Sequence, residues 1–407
     1  MIDFMTIYHP PLLNQLPINI PGIYTLTGGG LVGKTTLIKL WIEKLLTAGT
    51  PAESIHYYST EMSDHLRLTN QSSGSIQYVM LDEITRDSGW EKVMKFVIDN
   101  HLLDHVVLMI VSANAATIEK LKTHLSHQQP AINTTDFHLY PLSFYEFIAM
   151  KHPNTDISII NLYAEFNHYL LHGGYHSAIR DFTLHGKILD ETFTAYSTWL
   201  FKEIRQQEKQ EGFLREILDV IIKHENQPVT WNALTRELSI HHPKTIGDYV
   251  AQLDALDTIT VQAALSETTL SKAPKRARKL MFFDPFIFHA IKAHLHPSTD
   301  IFETQVIPML SNSAQHNALV EACVISHYSR YYTTYYIQAE GQINLAYLNN
   351  DRFRPVLITW TNPLHAKDLK QILKYPSGKI LTKSMKSGMI EHIRTEPLPQ
   401  ALLKLHD

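Results

Sequence analysis

"GGGLVGKTT" occupies positions 28–36, directly after the apolar run "GIYTLT". Read from Gly28, the spacing is Gly-x-x-x-x-Gly-Lys-Thr, closed by Gly33, Lys34 and Thr35. This is the P-loop pattern. Across Gly28, Gly29, Gly30, Leu31, Val32 and Gly33, a glycine-rich backbone lets successive N–H groups curl around an anion, and the helix that follows adds its positive end. Lys34 brings a point charge to the outer phosphates. Thr35 brings a hydroxyl that suits magnesium, with Thr36 closing the turn. Context separates this motif from an ordinary glycine-rich turn. Ile23 to Leu26 read as a buried strand, and "KTTLIKLWIEKLL" reads as a helix with Leu37, Ile38, Trp41 and Leu45 on one face.

A phosphate loop needs a carboxylate strand beside it. "SIQYVMLDEIT" offers one, because Tyr78 to Leu81 form an apolar strand that ends in Asp82 and Glu83. Asp82 is expected to complete the magnesium shell, and Glu83 to polarise the attacking water as general base. The pair follows the loop by about fifty residues, with a candidate strand "SIHYYST" between. A further apolar strand, "HVVLMIVSANA", ends in Ser112 and Asn114. Polar residues at the carboxyl ends of such strands face the ligand crevice, so Asn114 has two readings. It orients the attacking water, or it caps a helix beginning near Thr117. No Asn-Lys-x-Asp motif is present to read guanine, which leaves ATP with Mg2+ as the expected cofactors.

The 407 residues suffice for several domains, and a net charge of −4 gives no overall attraction to nucleic acid. Any such contact must be local. The single cysteine, Cys323, excludes an internal disulfide and fits a reducing compartment. The N-terminus has no basic flank, and runs such as "VVLMIV" fall far short of the ~20 apolar residues of a membrane span. A cytoplasmic protein with no membrane partner is expected. The 24 histidines invite a metal reading, but neither His241-His242 nor the group His289, His294 and His296 shows zinc-site spacing with a glutamate base. Scattered core or surface histidines are expected instead.

"GLVGKTTL", "YVMLDEIT", Gly89-Trp90 and "YPLSFYEF" together resemble the AAA-type ATPases of archaea and bacteria that carry a nuclease-like C-terminal domain. "YLLHGGYHSAI" resembles that family's lid segment, "FFDPFIFHAIKA" a later signature, and "LVEACVISHYSR" the opening of its C-terminal domain. The resemblance touches the chain in order from the loop to about residue 361. It implies an α/β P-loop NTPase core with a parallel sheet, a helical lid, a winged helix and a C-terminal α/β nuclease-like domain. The expected boundaries are 1–150, 151–208, 209–298 and 299–407. Two departures stand out. The strand before the lid ends "VSANA" rather than in a small polar run, and the Gly-Arg pair expected before "PLSF" is missing. Hydrolysis is therefore expected to be slow or to take an arginine from a protein partner or a second copy.

Beyond residue 154 the pattern turns helical. "FLREILDVIIKH" is amphipathic, with Phe213, Leu214, Ile217, Leu218 and Ile221 on one face. "TWNALTRELSI" follows with Thr230 as its N-cap, then "PKTIGDYVAQLDALD" with Pro243 in its first turn. Two period-two stretches flank "LSKAPKRARK", and three helices with a hairpin read as a winged helix. The tip holds Lys272, Lys275, Arg276, Arg278 and Lys279. Such a cluster suits a DNA backbone. It equally suits a solvated hairpin or a dock against an acidic face of the chain, and Asp248, Asp254 and Asp257 make the preceding helix a poor major-groove reader.

In the last third, the resemblance implies a nuclease fold whose metal site needs an early glutamate, a strand aspartate and a Glu-x-Lys. Glu321 fits the first, but Ala346, Thr359 and Thr361 stand at the others. No DNA cleavage is expected. The sequence thus predicts an ATP-hydrolysing switch that couples nucleotide state to partner or DNA binding. Its rival is a non-hydrolysing ATP-binding module of the same architecture.

Overall fold

The computed structural model describes residues 10–59, 76–83, 105–114, 118, 134–273, 276–339, 341–349, 352–360 and 366–405. Gly89, Trp90, Thr117, Lys275 and Thr361 lie outside the described residues. The chain divides into two compact units, Met1–Tyr140 and Pro141–Asp407.

In the first unit, β1 (Gly22–Thr27), β2 (Ile55–Ser59), β3 (Gln77–Asp82), β4 (Val106–Val111) and β5 (Thr134–His138) form one five-stranded sheet in the order β2-β3-β4-β1-β5. Every pairing is parallel. β4 is buried along its whole length, as expected of a central strand covered on both faces. Helix α1 (Lys34–Thr47) packs Leu37, Ile38, Trp41 and Leu45 against the sheet, so the predicted apolar face is the buried one. In a sheet of this type, the carboxyl ends of the strands make the crevice. Asp82 and Thr27 stand at such ends, and Gly28 opens the loop beyond.

The second unit begins with α2 (Phe144–Lys151), α3 (Leu162–His172), α4 (His176–His185), α5 (Asp190–Gln206) and α6 (Glu211–Lys223). After the short β6 (Pro228–Val229) come α7 (Trp231–Leu234) and α8 (Pro243–Ala255), then β7 (Ile259–Ser266), β8 (Ser271–Lys272) and β9 (Arg278–Phe282). The Thr230 side chain accepts from the Ala233 N–H as an N-cap, and Pro243 opens α8. Helices α9 (Pro285–Leu295) and α10 (Ser313–Ser329) lead into β10 (Thr334–Ile337), β11 (Ile343–Asn349), β12 (Arg352–Ile358), β13 (Lys379–Thr382), β14 (Gly388–Ile390), β15 (Ile393–Pro397) and α11 (Leu398–Leu403). β10 pairs in parallel with β7, Tyr335 opposite Ala263. One sheet of ten strands therefore runs β14-β15-β13-β12-β11-β10-β7-β9-β6, with β8 on β7. The hairpin and the C-terminal strands share a single hydrogen-bonded ladder across the boundary expected at 298/299.

Four of the signature stretches meet in this unit. Ser143 and Glu146 of "PLSFYEF" form a reciprocal capping box at the start of α2. The neighbouring Leu142 N–H donates to Gly174 O, and Leu142 O accepts from the Tyr169 hydroxyl at 2.6 Å. A Cβ on Gly174 would lie 2.1 Å from Leu142 O, and one on Gly173 would lie 1.9 Å from the Asp284 carboxylate. Asp284, from "FFDPF", caps α9 through the Phe286 N–H and accepts from the Gly174 N–H at 2.9 Å. Burial raises its pKa to about 6 against these hydrogen bonds. His327, from "ISHYSR", closes the knot by accepting from the Phe144 N–H at 2.8 Å.

That histidine is locked as one neutral tautomer, because Nε2 accepts from Phe144 while Nδ1 donates to Cys323 O at 2.7 Å. Burial pushes its pKa down to about 3, that of His172 to about 3 and that of His289 to about 4. A depressed base takes up its proton only on unfolding, so stability is present above about pH 6.5 and is lost as pH falls. Each ring should remove about 1.4 kcal/mol between pH 7.5 and 5.5. Urea unfolding at the two pH values measures this. His289→Gln, which keeps a donor for Leu170 O, should reduce the loss by one ring's share. An unchanged midpoint would contradict the assignment.

Candidate functional site

The loop from Gly28 to Thr36 is held in its turn by backbone demands. Gly28 has φ +148°, and a Cβ there would lie 2.2 Å from Leu139 O. Leu31 at the crest takes φ +59°, and Gly33 takes φ +110° as the N-cap of α1. Gly33, as the N-cap, brings no side chain to the start of α1, and a helix start of this kind is where backbone N–H groups meet an anion. Val32 is buried under the loop, whereas Leu31 is exposed.

Lys34 is buried and donates to Gly28 O and Gly29 O, both at 2.9 Å. Its ammonium stands 3.7 Å from Glu83 Oε1. The Thr35 hydroxyl donates to Asp82 Oδ2 at 2.7 Å. Asp82 is itself buried, and its Oδ1 has no hydrogen-bond partner among the described residues. An orphaned carboxylate oxygen next to a hydroxyl is the donor chemistry a hard divalent cation takes, so Thr35 and Asp82 fit magnesium. Glu83 adopts φ +57°, a left-handed conformation costly for a glutamate, and its N–H is tied to Val111 O at 3.0 Å. Asn114 lies just past β4, with its N–H held by Ser112 Oγ at 3.1 Å. Lys34, Thr35, Asp82 and Glu83 thus converge, and Asn114 sits at the adjacent strand end.

One participant carries no motif. Tyr57 on β2 donates its hydroxyl to Asp82 Oδ2 at 2.7 Å. From the sequence it is only a strand residue. The signal lies in β-sheet register, which pairs Ser59 with Asp82 and so puts Tyr57 on the same face two residues back.

The basic hairpin is less uniform than its sequence. Lys272 and Arg276 are exposed, and Arg278 is half-buried with its guanidinium over the Trp231 ring at 4.9 Å. Lys275 lies outside the described residues. Lys279 is a correction: it is fully buried and donates to Glu321 Oε1 at 2.7 Å, so it cannot reach a nucleic-acid backbone. Pleat alternation explains it, since adjacent residues of β9 face opposite sides of the sheet. Glu321 also accepts from Asn344 Nδ2 at 2.7 Å. Asn344, rather than Ala346, is the β11 residue that reaches this glutamate, while Ala346 belongs to the apolar core. A cavity of about 350 Å³ opens here, lined by Asn317, Glu321, Asn344, Thr359 and Asp368 among others. Among the described residues, no group of three or more His, Cys, Asp or Glu could hold a metal ion.

Residues 21–148 match the family model of the AAA domain, and residues 163–298 match a domain of unknown function (DUF8612). No curated protein matches the chain. Among solved structures, a Walker-type ATPase of Pyrococcus abyssi is similar at 12% identity and TM-score 0.45, covering 66% of this chain and 91% of that one. The ORC2 protein of Aeropyrum pernix, in ADPNP-ADP complexes, is similar at 10% identity and TM-score 0.38, covering 72% of this chain and 92% of its own. Among the described residues, no helix is long and apolar enough to cross a membrane.

Proposed function

We propose that the protein is an ATP-hydrolysing switch of the AAA type that couples nucleotide state to binding of a partner. The Thr35–Asp82 pair, with its one orphaned carboxylate oxygen beside Lys34 and Glu83, carries this reading. In it, the N–H groups from Gly28 to Thr36 and the Lys34 ammonium hold the phosphates of ATP. Thr35 and Asp82 hold Mg2+, which when bound neutralises phosphate charge. Glu83 takes the proton of the attacking water, and Asn114 orients that water. Phosphate release by the purified protein is the direct test.

The arginine supply favours a partner-dependent form of this reaction. Residues 1–140 contain only Arg67 and Arg86, both outside the described residues. An arginine from a second copy or another protein would stabilise transition-state charge and lift a slow basal rate.

For the second unit, we read residues 151–208 as a lid, 209–298 as a winged helix and 299–407 as a degenerate nuclease-like domain. Lys272 and Arg276 are the exposed charges that suit a DNA backbone. Each phosphate contact contributes roughly −0.9 to the slope of log affinity against log salt. Replacing both with alanine should flatten the slope by about two units for every duplex alike. Salt-titrated binding measures it, and an unchanged slope would remove the hairpin from the interface.

A further inference from the structure

Asp82 Oδ2 receives two donors, Thr35 Oγ1 and the Tyr57 hydroxyl, each at 2.7 Å. Two hydrogen bonds occupy that oxygen and fix the carboxylate's rotation, which leaves Oδ1 as the oxygen without a partner among the described residues. We propose that Tyr57 is a positioning residue for the magnesium-binding carboxylate, pinning Asp82 from the neighbouring strand so that one oxygen stays open for the metal's hydration shell. The inference rests on the reading of Thr35 and Asp82 as the magnesium pair.

Two features support it. The donor comes from a different strand than the carboxylate, so the rigid β2–β3 ladder sets the distance between them. The ring is partly buried against the core of the first unit, which holds the hydroxyl in place. Thr35 alone would hold Oδ2 by a hydroxyl that must also turn a lone pair to the metal.

Tyr57→Phe keeps the ring and removes only the hydroxyl. The probe is mant-ATP, titrated by fluorescence with Mg2+ and with EDTA, beside wild type and Asp82→Ala. Wild type should bind more tightly with Mg2+. Tyr57→Phe should match wild type in EDTA and lose about fivefold to tenfold of the tightening that Mg2+ brings. A merely structural tyrosine would move both conditions together. If Asp82→Ala loses the Mg2+ effect while Tyr57→Phe keeps it in full, the positioning role is overturned and the site reading stands. If Asp82→Ala also keeps it, the site reading falls and this inference with it.

Discussion

Lys34→Ala should lose ATP binding, whereas Glu83→Gln should bind ATP as wild type does and fail to turn it over. In the proposed function the lysine is a ground-state contact with phosphate, so its removal should be felt before any chemistry. Truncating one member of a buried charged contact costs about 2–5 kcal/mol, or roughly 30-fold to 4,000-fold in affinity. In the same proposal Glu83 acts on the attacking water, and loss of a general base lowers the rate by roughly 10²–10⁴. The mutation to glutamine leaves the shape and the strained φ of +57° in place. Lys34 also donates to two loop carbonyls, so thermal unfolding must accompany the titration to show that the loop's unit stays folded. Turnover by Glu83→Gln at the wild-type rate would show the base assignment to be wrong.

Lys279→Ala should destabilise the second unit by about 3 kcal/mol or more, since it strands a carboxylate that has been taken out of water. Glu321 keeps Asn344 as a hydrogen-bond donor but loses its ion pair with Lys279. Lys272→Ala and Arg276→Ala, on the exposed part of the same hairpin, should stay within about 0.5 kcal/mol. The second step is decisive. Lys279→Met combined with Glu321→Gln should recover much of the loss, because no uncompensated charge then remains. Chemical denaturation gives all four values. Equal midpoints for Lys279→Ala and wild type would mean the pair contributes nothing to stability.

These two experiments probe very different degrees of legibility. The loop, α1, β3 and β4 are local features with strong periodicity, and their placement follows from the sequence alone. Lys279 is harder. It sits in a run of basic residues that all look alike, and only strand pairing decides that Arg278 meets Trp231 while Lys279 meets a helix 42 residues on. Tyr57 is harder still, because its partner is set by register between two strands and no residue pattern announces it. The Gly173-Gly174 pair was visible as a signature, yet its cause, close approach of Leu142 and Asp284, needs three distant segments in one place. Long-range contact is what a linear pattern does not encode.

The ladder from β9 through β7 to β10 also bears on how this protein can be cut and rebuilt. Residues 209–298, proposed above to be a winged helix, invite use as a cassette to be expressed alone or grafted elsewhere. Here β7 has β9 along one edge and β10 along the other. A fragment ending at residue 298 would strip one edge and bare a row of backbone N–H and C=O groups, the template for edge-to-edge aggregation. Such a fragment should go to inclusion bodies unless a surrogate strand is supplied. Any lineage that shed the C-terminal strands would have had to blunt the same edge with charge, proline or a bulge.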